Sequence, residues 1–520
     1  MTAFPEKATP QSSPEDQRGS RKNMIDGPVW WRKIADLFLT HKNTWIVFFL
    51  LAFMYAYFYH EPGYNGNSRL SLTAAIAEEG RLAIDSFHEV SGYATEDKSE
   101  YNGHYYSDKA IGSSLIAAPL YALIYWSARL MAHITIGPWL MTHLLTFLVI
   151  GLWSALAGAL IYRICEHISG SPLRAGVVTA ALALGSLAFP FSVVFFGHQL
   201  VAAQLWVSFF LIFRLRLQEN PPGRGYALLI GLLLGLCLIT EYPTAVIVLA
   251  LVAYYLYILW LKRDQFRMST LVLPALGGLA MISLMLGYNF LAYGEPLVNG
   301  YQYLVDPYFK ESMSHGLMGI GMPSLTVMFF QTFQPAMGLF WQSPALLMIF
   351  PGAFYILRDR RYRVEGILAV FIFIVYITIT SGYYQWWGGY SAGPRHIIPI
   401  LPFLCWLLIF LPRRLFPWFS GLTAISVAQM LIIAASEVIV PAIPMENFQK
   451  LGFFEYSTIY SFCLPELMNG KFTWNLGIDL LGLNGWASLV PVVLAITGVL
   501  FYFWRISRNR PGVKVIEAVN

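Results

Sequence analysis

The stretch YNGHYYSDKAIG, residues 101–112, sets the adjacent pair Asp108–Lys109 at the mouth of a long apolar run. Charge beside hydrocarbon costs ~2.5–3.5 kcal/mol at a helix centre on insertion scales, so an ionisable residue at such a boundary is a functional candidate by default. Further residues of this kind stand at the ends of other apolar runs. They are His198 in FFGHQ, Glu241 in TEYP, and Arg395 after the paired tryptophans of YYQWWGGYSAGPRH. Lys109 and Arg395 together suit a phosphate group, as do the free backbone amides where the 113–131 run begins. Asp85, Asp97, Asp108 and Glu241 are of the type that takes a proton from a hydroxyl. Aromatic residues such as Tyr106 and Trp387 suit sugar faces or an isoprenoid chain. Plainer readings stand beside these. Asp108 is also a good N-cap, Lys109 a residue that snorkels to the interface, and the aromatic clusters an interfacial belt. No Asp-x-Asp pair occurs near the candidates, and Cys165, Cys237, Cys405 and Cys463 lack ligand spacing, so neither a metal site nor a cofactor is expected.

The elements that must position these residues follow from composition. The chain is 57% hydrophobic and 12% charged, with mean hydropathy +0.56, against about 25% charged residues in soluble domains. It reads as an all-α polytopic membrane protein. Its net charge of +5 is spread singly between apolar runs, which gives no nucleic-acid footprint. Thirteen apolar runs occur, near 44–60, 113–131, 139–162, 174–192, 197–213, 225–240, 243–261, 269–290, 338–357, 364–381, 396–412, 418–436 and 486–504. Basic loops mark the cytoplasmic side. If the 113–131 run lies along the membrane surface, nine of the 34 Lys and Arg fall outside and the rest inside. About twelve transmembrane helices are therefore expected, with both termini inside and juxtamembrane helices in a large first extracytoplasmic loop, 61–138. The chain divides into a polar cytoplasmic tail and interfacial segment (1–43, with Trp30–Trp31), a transmembrane core (44–436), and a final loop, helix and tail (437–520). Within the first loop, 68–79 suits an amphipathic interfacial helix closed by Gly80. Asn102–Gly103 suits a hairpin turn that returns Asp108 and Lys109 to the membrane.

The YYSDKAIG motif, the segment NSRLSLTAAIAEEGRLAID (67–85) and the segment WWGGYSAGPRHIIPILPFL (386–404) together resemble the GT-C glycosyltransferases. These are polyprenyl-phosphate-sugar-dependent enzymes of the lipid A aminoarabinose transferase and protein O-mannosyltransferase type. The resemblance covers roughly 44–410. It implies inverting transfer of a sugar from a polyprenyl phosphate to an acceptor hydroxyl of a glycan, lipid or protein, at the outer face of a bacterial inner membrane. It also gives Arg69 the place of the family's juxtamembrane arginine, among substrate contacts with Lys109, Tyr106, His198, Trp387 and Arg395. The family's acidic pair before that arginine is absent, since Gly66-Asn67-Ser68 stands there. The base must then lie elsewhere, with Asp85 or Asp108 foremost and Glu241 a further candidate. The competing class is a transporter or flippase for a lipid-linked or small anionic substrate. Transporters place polar residues on broken helices at mid-membrane, whereas the charges here gather at one face.

Overall fold

The computed structural model describes residues 41–131, 133–218, 222–265, 267–441 and 456–509. The tail with Trp30–Trp31 and part of the 437–485 loop lie outside them. The apolar runs form helices α1 (Lys42–Tyr57), α3 (Gly112–Met131), α4 (Pro138–Ser169), α5 (Pro172–Ala183), α6 (Gly197–Leu217), α7 (Arg224–Thr240), α8 (Tyr242–Leu261) and α9 (Ser269–Tyr293). They continue as α12 (Pro344–Arg358), α13 (Arg363–Ser381), α14 (Arg395–Leu408), α15 (Arg413–Ala435) and α16 (Gly485–Asn509). Short helices α2 (Gly63–Ala74), α10 (Pro307–Ser314) and α11 (Leu325–Phe333) lie between them.

Among the described residues, eight helices are long and apolar enough to cross a membrane: α3, α4, α6, α8, α9, α13, α15 and α16. Helices α5, α7, α12 and α14 are apolar but shorter. The chain is thus a helical protein of the membrane-spanning kind. Its core joins α1, α4, α5, α6 and α14 through rings such as Trp206, Phe209, Phe403 and Trp406. Helices α7 and α9 approach backbone to backbone, because a Cβ at Gly231 would strike Pro274 and one at Gly277 would strike Leu228. Small residues permit that closeness where lipid supplies no hydrophobic drive between helices.

The two ends of this bundle differ in chemistry. One gathers basic residues: Arg216 pairs with Glu365, Lys262 Nζ donates to Leu215 O at 2.6 Å, and Arg174 donates to Leu411 O. The other end carries the candidate residues and the 58–112 segment. There the expected hairpin forms, β1 (Lys98–Tyr101) against β2 (His104–Ser107), with Lys98 opposite Ser107. Asn102 (φ 52) and Gly103 (φ 79) make its turn, the left-handed pair that a two-residue hairpin demands.

The expected helix at 68–79 begins earlier, at Gly63, and ends in a wide turn over Ala75–Glu79 capped by Gly80. Gly66 is helical here because only a glycine fits against the Phe195 carbonyl, a contact invisible to local propensity. The start of α3 and the chain after it lie in this same layer. Gly112 packs on Thr240 at the end of α7. After α3 the chain returns at Pro138 against Gly92, with Trp139 4.7 Å from Tyr59.

Candidate active site

Arg69 on α2 is the hub. Its Nη2 donates to Glu241 Oε1 at 2.7 Å, and its Nη1 donates to Ala110 O and Ser113 Oγ, both at 3.1 Å. Both partners of the ion pair are buried. Glu241 is placed by the end of α7, where it caps the helix in an extended conformation. Gly197, the first residue of α6, leaves room for the pair, since a Cβ there would lie on the Glu241 carboxylate and 3.2 Å from Arg69 Cζ. Burial pushes the Glu241 carboxyl up from its ordinary value, against the pull of Arg69 and Arg395. His198, next on α6, sets its Nδ1 3.6 Å from the same Glu241 oxygen.

The hairpin delivers a second unit. Lys109 Nζ lies 2.8 Å from Asp97 Oδ2 and 2.9 Å from Asp108 Oδ2, one ammonium clamped by two carboxylates. Asp97 enters β1 just as Asp108 leaves β2, so the antiparallel register brings residues eleven apart in sequence to one point. Asp108 is buried and its Oδ1 accepts from Ser68 Oγ at 3.4 Å. Burial raises the Asp108 carboxyl, with Lys109 opposing. Burial also works against the Lys109 charge, but Asp108 and Asp97 outweigh it and hold the amine above its usual range. Asp97 Oδ1 accepts no hydrogen bond among the described residues.

Arg395 supplies the third charge. It is buried, stands 4.9 Å over the Phe196 ring, and donates from Nη1 to Tyr390 O at 3.4 Å. Its Nε has no partner, nor has Nε2 of neighbouring His396. No carboxylate among the described residues pairs with it. The Gly388 turn (φ +90) leaves space for its stem, since a Cβ there would stand 2.9 Å from Arg395 Cγ.

Arg69, Asp97, Asp108, Lys109, His198, Glu241, Arg395 and His396 all face one cavity of about 190 Å³. Tyr242, Tyr301, Tyr383 and Tyr384 form its aromatic wall. Leu304, Phe309, Met313, Leu317 and Ile320 form an apolar flank. Among the described residues, no three His, Cys, Asp or Glu side chains group as a metal site.

The structure therefore brings together Arg69, Asp108, Lys109, His198, Glu241 and Arg395 of the residues expected from sequence, and leaves three aside. Asp85, expected as a base, is exposed and away from the cavity lining. It receives His104 Nδ1 and the Tyr105 amide at 2.7 Å each, steadying the hairpin. Tyr106 packs 5.4 Å from Tyr293. Trp387 stacks edge-on to Trp386 beside Phe330. Neither ring lines the cavity. Asp97, one of the four carboxylates named from the sequence, joins them, and His396 is the addition. Only the hairpin register ranks Asp97. His396 adjoined Arg395 with no signal of its own.

No family model matches this chain, and no curated protein matches it. Among solved structures, ArnT from Cupriavidus metallidurans in the apo state aligns with a TM-score of 0.47 at 15% identity, covering 88% of this chain and 72% of its own. ArnT from the same organism bound to undecaprenyl phosphate aligns with a TM-score of 0.47 at 16% identity, covering 91% and 76%.

Proposed function

We propose that this protein is an integral-membrane glycosyltransferase that moves a sugar from a polyprenyl-phosphate donor to an acceptor hydroxyl, with inversion, at the extracytoplasmic face. One observation carries the reading. A buried guanidinium without a carboxylate partner (Arg395) and a clamped carboxylate with a free oxygen (Asp97) share one cavity whose flank is apolar. A charged buried donor left unpaired is costly, which favours an anionic ligand beside Arg395. The apolar flank suits the isoprenoid chain and the tyrosines suit the sugar.

In the proposed step the acceptor hydroxyl gives its proton to Asp97 Oδ1 as its oxygen bonds the anomeric carbon. The bond from that carbon to the phosphate oxygen breaks, and the electron pair leaves on the polyprenyl phosphate, whose growing charge faces Arg395. Lys109, shared with Asp108, holds Asp97 in place. Arg69 and Glu241 fix the floor between α2, α6 and α7. This departs from the sequence-based expectation that Lys109 meets the phosphate, because its ammonium is already taken by two carboxylates.

The sidedness rests on charge. The basic end of the bundle faces the cytoplasm by the positive-inside rule, which turns the cavity outward. With α3 lying along that outer face, the remaining twelve apolar runs cross. The test is release of undecaprenyl phosphate from undecaprenyl-phosphate-linked sugars by the purified protein in liposomes. Asp97→Asn and Arg395→Ala are each expected to slow it by roughly 10²-fold or more. Wild-type turnover in both variants would sink the reading.

A further inference from the structure

The charges of the cavity are unevenly divided, and the division bears on the acceptor. This step rests on the glycosyltransferase reading above. Arg69 and Glu241 cancel as a buried pair 2.7 Å apart. Lys109 cancels one of the two carboxylates it touches, Asp97 and Asp108, leaving that unit one charge negative. Arg395 is left one charge positive, with an unpartnered Nε in the same cavity. The site is thus a dipole, cationic where the leaving phosphate is proposed and anionic where the acceptor hydroxyl is deprotonated.

The surroundings extend the negative end. Segment 61–138 carries nine acidic against five basic residues, and segment 291–337 three against one. Glu96 and Glu100, flanking Asp97 along the chain, are exposed. A molecule approaching the hairpin side of the cavity meets an excess of acidic residues.

We infer that the acceptor is an uncharged sugar hydroxyl, and that acceptors bearing phosphate or carboxylate near the reacting oxygen are rejected by charge. A phosphate brought beside Asp97 and Asp108 meets two carboxylates whose bridging ammonium, Lys109, is already paired with both. A neutral pyranose loses nothing to those carboxylates.

The experiment gives the full-length protein in liposomes a panel of undecaprenyl-phosphate-linked hexoses and pentoses. Equal concentrations of methyl glucoside, glucose 6-phosphate and glucuronate are offered as acceptors. Transfer to methyl glucoside is expected to exceed transfer to either anion by roughly tenfold at low salt, with the gap narrowing at high ionic strength. Asp108→Asn, which removes the excess negative charge, is expected to narrow the gap further, whatever its effect on overall rate. Donor turnover with equal or better use of the anionic acceptors overturns this inference and leaves the glycosyltransferase reading standing. No donor turnover with any sugar, with or without acceptor, overturns both.

Discussion

Lys109 illustrates how one side chain changes meaning between sequence and structure. Read along the chain it is a cation at a membrane boundary, free to meet an anion. In the fold it is held 2.8 and 2.9 Å from two carboxylates, so its work is to align them. The consequence is a pH effect of known sign. Burial already raises Asp108, and Lys109 opposes that rise. Replacing Lys109 with Met removes the opposing charge, so Asp108 gains its proton at higher pH. The acid limb of kcat/KM is expected to move toward alkaline pH in Lys109→Met and to stay in place in Lys109→Arg. A pH–rate profile on the same donor checks it, and an unmoved limb in the Met variant would remove the unit from the chemistry. Arg395 is the converse case. Its cationic character was plain from the residue type, while its lack of a carboxylate partner is a tertiary fact.

Among the elements, the hairpin and α3 carry the site's geometry. The turn Asn102–Gly103 and the alternation around it were legible because a two-residue reversal demands left-handed backbone. What was not legible was that residue 97 lies opposite the exit of β2, since register is fixed by a ladder and the packing beneath it. Helix α3 raises a question that hydropathy cannot answer, because an interfacial helix and a spanning one share length and composition. Its start abuts Thr240 and the chain beyond its end abuts Gly92 and Tyr59, all in the polar end layer. Cysteines placed singly at 127–131 and at 85–90 are therefore expected to react with a membrane-impermeant maleimide from the same side of oriented vesicles. Labelling of the two sets from opposite sides would refute the flat placement of α3. The early start of α2 shows the reverse failure: Gly66 signals a turn locally, yet contact with the Phe195 carbonyl makes glycine the residue a helix needs there.

For the whole molecule, the separation of charge between the two ends is the organising fact. The basic end is braced by its own buried group, where Glu365 receives both Arg216 and Tyr254. It shares no residue with the cavity lining, so stability and chemistry are separable. Glu365→Ala leaves Arg216 unpaired and is expected to lower stability by about 2–3 kcal/mol, below the ~3–5 of a fully buried pair because Arg216 is partly exposed. Thermal unfolding in detergent measures it. Donor turnover per folded molecule is expected to remain near wild type, and its loss would tie the basic end to the reaction.

The sequence by itself determined a helical membrane protein, the hairpin, and six of the residues that meet in the cavity, because hydropathy, turn chemistry and the cost of charge beside hydrocarbon are all local properties. It did not determine which carboxylate is left free or which cation is left unpaired. Those depend on partners that arrive from distant segments: Asp97 across the hairpin, Glu241 from the end of α7, Phe196 beneath Arg395. Only the packed fold decides them, since a charge's role near a membrane is set by what neutralises it.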